Sequence, residues 1–453
     1  MLKRIHVEYY KSLKNVDVPC AGLNLLTGVN GAGKSSFVQV LRLLHLAADK
    51  IEELRLNINV EDFGGGTRES DLFYRYGEKP EDIVISVSYT DDSGREFTIS
   101  RCVERRRKIK KDDTIFFDHP DYSSIVKAAY SEVYMLKEDM VLKEIKEEEM
   151  AEGGLIFVNL KNVSGDKVKV AEEKADRWFE EQKQKIRDSE HDKTVAFKHV
   201  WKGGRFIDAF RQRPTDVSSG GDLFCWDYIF SRSFDDIKHF NPEGNDVMGF
   251  LYECNQIADK TLIEKVNQCL NWVSPGASLD IKEEKAGDDR FFVSAIDYGV
   301  DGDKRLFKPQ NVGFGVSYIL PVLAVLLTAE KGNILIIENP EAHLHPRGQA
   351  EIGKLIAETV ARGVQVFVET HSDHLINGVR VAVKKGILKP DDVNIAFFER
   401  KEHDTVDMDG KESREIFTAV KDIKIDANGA ISEYPDGFMD EWSNQMMRLF
   451  DRT

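Results

Sequence analysis

The first 27 residues alternate apolar and polar positions, with turn residues at Asn15 and Gly22, and predict two or three β-strands. A Gly-rich turn follows, and Ser36 to Ala48 then carries apolar residues at helical spacing. Gly64 to Gly66 mark a loop. Ile83 to Tyr89 and Glu96 to Cys102 alternate again around Asp91-Asp92-Ser93-Gly94, which predicts a hairpin. From about 103 to 290 the pattern is charge-rich and loosely helical, with Met140 to Glu152 and Val170 to Arg187 the best helices. Neither sustains heptads over three or four repeats, so no long coiled coil is expected. The last part returns to sharp periodicity. It predicts a strand at Arg290 to Tyr298, a helix at Ser317 to Lys331, and a buried strand at Asn333 to Ile337. An amphipathic helix at Gly348 to Arg362 and a second buried strand at Val364 to Glu369 follow. Such alternation predicts an α/β fold, a mixed and mostly parallel sheet flanked by helices. Its halves, 1–102 and 290–400, stand at the two ends of the chain. Between them 103–289 reads as a largely helical inserted lobe, and 401–453 as a C-terminal segment packing on the rest.

The 453 residues are enough for two or three domains, and 41% hydrophobic with 31% charged residues is ordinary for a globular protein. The opening MLKRIHVEYY enters strand alternation directly, so no secretory leader is expected. No apolar run approaches the roughly 18 residues of a membrane span. Five scattered cysteines without CxxC spacing argue against a zinc site or a disulfide framework, and a cytoplasmic setting is expected. The net charge of −16 repels phosphate backbones, so nucleic-acid binding would need a local basic patch. Arg101 to Lys111 is the one candidate, with a solvated strand end or loop as its other reading.

Gly28-Val-Asn-Gly-Ala-Gly-Lys34-Ser35 matches G-x-x-x-x-G-K-[ST] at every fixed position, after an apolar strand and before a helix. Backbone N–H groups of Gly28, Asn30, Gly31, Ala32, Gly33 and Ser36 would wrap phosphates at the helix N-terminus. Lys34 would reach the β- and γ-phosphates, and the Ser35 hydroxyl would ligate Mg2+. No acidic strand follows promptly. The persuasive one is Ile334-Leu-Ile-Ile-Glu338, some three hundred residues later. Before it lies Val312-Gly-Phe-Gly-Val-Ser317, and after it a strand ending Glu369-Thr-His371-Ser372. There is no N-K-x-D motif, which argues for ATP over GTP.

This motif order resembles that of ABC-type ATPases of the SMC and RecF class. Pro340-Glu-Ala-His-Leu-His-Pro346, Thr370-His-Ser372 and the closing Ile425-Asp-Ala-Asn-Gly429 look most like OLD-related (overcoming lysogenisation defect) bacterial ATPases. That group includes ATPase subunits of anti-phage operons of the Septu, PARIS or retron-associated type. The resemblance covers roughly residues 1–100 and 290–440. It implies a split ATPase head that dimerises around ATP and Mg2+ as a homodimer or higher oligomer. It also implies a separately encoded effector, a nuclease or toxin. Gly313, Gly315 and Ser317 would form the signature turn that meets the γ-phosphate in trans. Lys11 would approach the same phosphates, His371 would sense them, and Glu338 would hold Mg2+ with Ser35.

Asn339 stands where the resemblance expects a general-base glutamate, and an amide cannot take a proton that way. Glu341 is the nearest spare carboxylate, so slow hydrolysis, or hydrolysis through Glu341, is expected. Of His343, His345, His371 and His374, the motif order explains all but His374 without a metal site, and none is expected there. The stretch after Arg400 is short for a nuclease domain, so any nuclease is expected on another chain. The competing expectation is a RecF-type repair ATPase that binds DNA directly. A transporter subunit is disfavoured by the large insert.

Overall fold

Leu2, Ile5, Val7 and Tyr10 are buried and the residues between them face outward or are half-buried, which makes the alternating segment a one-sided strand, β1 (Leu2–Tyr10). The computed structural model describes residues 1–48, 51, 53, 55–59, 72–74, 82–103, 114–122, 124–130, 165–201, 204–207, 217–219, 247–257, 261–286, 289–299, 303–406 and 412–450. The strand β1 joins an antiparallel sheet with β2 (Leu13–Pro19), β4 (Arg55–Asn59), β5 (Ile83–Thr90), β6 (Glu96–Val103) and β7 (Thr114–Asp118). The order is β2-β1-β5-β6-β7-β4. The expected hairpin is β5–β6, its turn closed by Asp91, which accepts from the backbone of Ser93 and Arg95, both at 2.9 Å.

The second sheet is the mixed one. It holds β3 (Leu23–Gly28), β8 (Arg205–Ile207), β13 (Ile334–Glu338), β14 (Gln365–Glu369), β15 (Val393–Val406) and β16 (Glu412–Ile423). The order is β16-β15-β3-β14-β13-β8, parallel throughout except for β15–β16. Its strands β13 and β14 carry unbroken apolar runs, and β3 is buried at every position, because both faces are covered. The period of two sorts their side chains. Leu23, Leu25, Leu335, Ile337, Val366 and Val368 join one core, with α5 (Phe314–Thr328), α6 (Pro346–Ala361) and α7 (Asp373–Lys384). Leu26, Ile334, Ile336 and Phe367 join the other, with α1 (Lys34–Ala47) and the antiparallel sheet.

The stretch expected as a helical lobe contributes to both cores and contains strands. Phe197, Val200 and Trp201 of α2 (Gly165–Trp201) are buried under the antiparallel sheet, with Phe197 edge-on to Tyr89 at 5.3 Å. Val247, Phe250 and Leu251 of α3 (Val247–Ile257) and Val266 and Leu270 of α4 (Leu262–Val273) share the other core. A hairpin of β10 (Ser278–Ala286) and β11 (Asp289–Asp297) pairs with β9 (Val217–Ser219) and β12 (Leu306–Phe307). Three residues in β8 and β9 leave no readable alternation, and in β10 the alternation of Leu279 and Ile281 runs out into the charged Lys282–Lys285, which is why the charge-rich pattern concealed them. The C-terminal stretch extends the main sheet through β15 and β16, and Phe438 packs edge-on to Phe397 at 5.5 Å. It ends in α8 (Glu441–Phe450). The predicted helix Met140 to Glu152, the Gly64 to Gly66 loop, Cys225 and positions 104–111 of the basic run lie outside the described residues.

Of the basic run, Arg101 is withdrawn from the surface. It is 2% exposed and faces Glu190 of α2 at 3.6 Å, while His119 reaches the same carboxylate at 3.5 Å. Its guanidinium also donates to the Ile51 carbonyl. Burial pushes the Glu190 carboxyl up, but the His119 bond and the Arg101 charge outweigh it and hold the group down to about 2. Removing one partner of a buried ion pair leaves the other uncompensated, so Glu190→Gln should cost about 3 kcal/mol in urea unfolding at pH 7. Because the folded pKa is depressed, the stability from Glu190 is present above about 4.5 and lost as pH falls toward 2. The deficit of the variant should therefore shrink in acid.

Candidate functional site

The Gly28–Ser35 loop begins where β3 ends. A Cβ at Gly28 would lie 2.1 Å from the Phe398 carbonyl of β15, and φ there is 135°, so only glycine lets the chain leave the sheet at this point. The far side of the loop is tied to β16, since Thr418 Oγ1 donates to the Ala32 carbonyl at 2.9 Å and stands 2.8 Å from Ser12 Oγ, from which it can accept. Lys34 opens α1 and is 4% exposed. Its ammonium donates to the carbonyls of Gly28 at 2.9 Å and Val29 at 3.0 Å, and burial lowers its pKa.

A cleft of about 190 Å3 stands over this loop, lined by Ser12, Asn30, Gly31, Gly33, Lys34, Ser35, Ser36, Glu369 and His371. Ser35 Oγ donates to Glu369 Oε1 at 3.1 Å. Burial raises the Glu369 pKa, against the Ser35 bond and the Lys34 charge. Burial and then Lys34 lower that of His371, so its ring is neutral at pH 7. Behind them Glu341 Oε1 accepts from Thr370 Oγ1 at 2.8 Å and from the His371 N–H at 2.9 Å. Ser372 caps α7 through the Leu375 N–H at 3.0 Å. The turn that carries His371 is thus fixed from both ends. A phosphate-sized anion can be met here by loop N–H groups, an ammonium and a helix N-terminus together.

A family model described as AAA ATPase domain matches residues 1–376. The chain belongs to the AAA ATPase domain family. Residues 388–449 match a second model, described as a protein of unknown function (DUF3696). No curated protein matches the chain. Among solved structures, an Smc head bound to the C-winged helix domain of ScpA shares 12% identity over 93% of this chain and 97% of that one, with a TM-score of 0.46. The Pyrococcus furiosus Smc head with an extended coiled coil, bound to the C-terminal domain of ScpA, shares 12% over 99% of each chain, with a TM-score of 0.43. The SMC head domain from Thermotoga maritima shares 9% over 94% and 99%, with a TM-score of 0.38.

Of the residues expected at the site of this AAA-family ATPase, Asn30, Gly31, Gly33, Lys34, Ser35, Ser36 and His371 meet in the cleft. Lys11 does not line it. The chain turns through positive φ at Tyr9 and Lys11, and the Lys11 ammonium donates to Gln39 Oε1 of α1 at 2.6 Å. The neighbouring Ser12 lines the cleft instead. Glu338 ends β13 level with Glu369, one strand further from the loop. Ser317 is fully buried and its hydroxyl donates to the Pro309 carbonyl at 2.6 Å, so its side chain is not presented to a second subunit. The exposed start of α5 is Gly313 and Phe314. Behind them, a Cβ at Gly315 would come within 2.7 Å of the His343 carbonyl.

Sequence reasoning missed Ser12 and Glu369. For Glu369 the signal was present: Val364 to Glu369 repeats the apolar-strand-then-acid pattern of Ile334 to Glu338. Asn339 sits in left-handed backbone, φ 44°, with its N–H on the Glu369 carbonyl at 2.8 Å. Asn is among the few residues that take this conformation readily. Asn339→Gly should therefore leave urea stability unchanged, whereas Asn339→Glu should lower it by about 1 kcal/mol. Equal stability of the two variants would show that backbone conformation does not select Asn at this position.

Proposed function

We propose that the chain binds ATP with Mg2+ and hydrolyses it slowly, in a dimer where the α5 N-terminus of one copy meets the nucleotide held by the other. The convergence of Lys34, Ser35, Glu369 and His371 at the end of β3 carries this reading. Lys34, held on two carbonyls, is already placed and partly desolvated, so little reorganisation is needed to meet a phosphate. The hydroxyl and carboxylate of Ser35 and Glu369 are hard oxygen donors of the kind that suit Mg2+, which when bound neutralises charge on the β- and γ-oxygens. His371, neutral at pH 7, offers the γ-phosphate a hydrogen bond.

The dimer is supported by what one chain lacks. Pockets that enclose a small ligand measure roughly 300–1,000 Å3, whereas this cleft holds about 190 Å3 and surrounds only the phosphate end. The α5 N-terminus offers a second anion-facing surface, with Phe314 45% exposed and its ring tilted against that of His343 at 4.8 Å between ring centres. Slow turnover is supported by Asn339, which cannot act as a base, and by Glu341, whose carboxylate is engaged with Thr370 and His371.

The motif order shared with ATPase subunits of anti-phage operons supports a regulatory role. In this reading the persistent ATP-bound dimer controls a separately encoded nuclease or toxin in the bacterial cytoplasm. Direct DNA binding is less well supported, since the net charge is −16 and Arg101 is buried against Glu190.

Lys34→Ala should abolish ATP binding in calorimetry, and unchanged affinity would overturn the nucleotide reading. Phe314→Asp should leave ATP affinity within about threefold of the parent and prevent ATP-dependent dimerisation in sedimentation, because it places a charge at the centre of the joining surface. ATP-dependent dimers of that variant as abundant as those of the parent would contradict the proposed face.

A further inference from the structure

We propose that Glu369 is the positioning residue that sets the Mg2+ affinity of the ATP site, by holding the proton of the Ser35 hydroxyl and adding its charge beside it. The inference rests on the ATP reading above and goes beyond the acidic residue expected from the motif order, which was Glu338.

The argument begins with the sheet. Because β14 lies between β3 and β13, its last residue is the strand-end carboxylate nearer the loop. Glu369 is level with Leu26 on one side and with Glu338 on the other. It ends a strand whose every residue is buried, and it is itself only 4% exposed. A carboxylate so placed needs a compensating cation or strong hydrogen bonds. Among the residues lining the cleft Lys34 is the cation that could answer Glu369, and its ammonium is directed to the carbonyls of Gly28 and Val29.

The bond from Ser35 supplies the direction. A hydroxyl has one proton to donate and two lone pairs to offer. With the proton on Glu369 Oε1 at 3.1 Å, the lone pairs of Ser35 are left for a cation. Mg2+ is commonly held by one or two carboxylates with water and substrate phosphate oxygens, and Glu369 and Glu338 supply two carboxylates on adjacent strand ends. The other acidic-strand candidates are committed elsewhere. Asn339 is an amide whose backbone is bound to the carbonyl of Glu369 itself, and Glu341 holds the turn of Thr370 and His371.

Glu369→Gln isolates the charge, because glutamine has the same length and its amide oxygen can still accept from Ser35. ATP affinity should be measured by calorimetry on the full chain, once in EDTA and once across a Mg2+ titration. Without metal, the variant should bind ATP as well as the parent or better, because a negative charge facing the phosphates is gone. With Mg2+, the strengthening of ATP binding should be at least tenfold smaller. These opposite signs are not what a merely damaged fold produces. Glu369→Asp, which keeps the charge on a shorter stem, should fall between the two. A Mg2+ dependence equal to that of the parent in Glu369→Gln would overturn the assignment, as would Asp behaving like Gln. If the parent chain binds no ATP, with or without Mg2+, the ATP reading fails and this assignment fails with it.

Discussion

The pairing of β3 on both edges, with β15 on one side and β14 on the other, is the constraint on which the rest of the structure depends. A parallel strand buried on both faces cannot shift register without moving every side chain to the wrong core. The chain must also leave β3 where Phe398 allows no Cβ at Gly28, so the loop that follows is held at one height above the sheet. The same register sets Glu369 beside Ser35 and Glu338 one strand further away. The site lies at the carboxyl ends of the parallel strands, where open α/β sheets bind ligands in general.

The antiparallel sheet and the middle of the chain are coupled to this centre by burial. Leu26 and Phe367 of the parallel sheet share a core with Ile5, Val7 and Val87 of the antiparallel one. The α2 helix is clamped to that sheet by Phe197 and by the Arg101–Glu190 pair, and the β1–β2 turn brings Ser12 to the cleft. A change in how α2 sits therefore has a physical route to the phosphate end through packed side chains and one buried ion pair. The cost of breaking that pair keeps the two elements together.

The elements legible in the sequence were those with a strong local pattern. The alternation in β1, β2, β5 and β6, the unbroken apolar runs of β13 and β14, and the Gly28–Ser35 loop between a strand and a helix all stand where their patterns put them. What the sequence concealed depends on partners distant in the chain. Nothing near Ser12 announces that it faces Thr418, about four hundred residues away. Nothing in Val312 to Ser317 tells that the Ser317 hydroxyl turns inward to Pro309 while Gly313 and Phe314 stay outside. Asn339 was read as a missing base. Its left-handed φ supplies a backbone reason for that residue, independent of catalysis.

The central claim is that a single chain holds half of an ATP site and that the other half comes from the α5 N-terminus of a second copy. The most direct test mixes two inactive chains, one carrying Lys34→Ala and the other Phe314→Asp, and measures ATP hydrolysis. Each mixed dimer unites the intact loop of one chain with the intact α5 N-terminus of the other. Neither chain closes an ATP-dependent dimer with itself, and each mixed dimer holds one complete site of two, so an equal mixture should restore up to about half of the parent rate. If the mixture is as inactive as its components while both chains remain folded, the nucleotide site is not shared between copies.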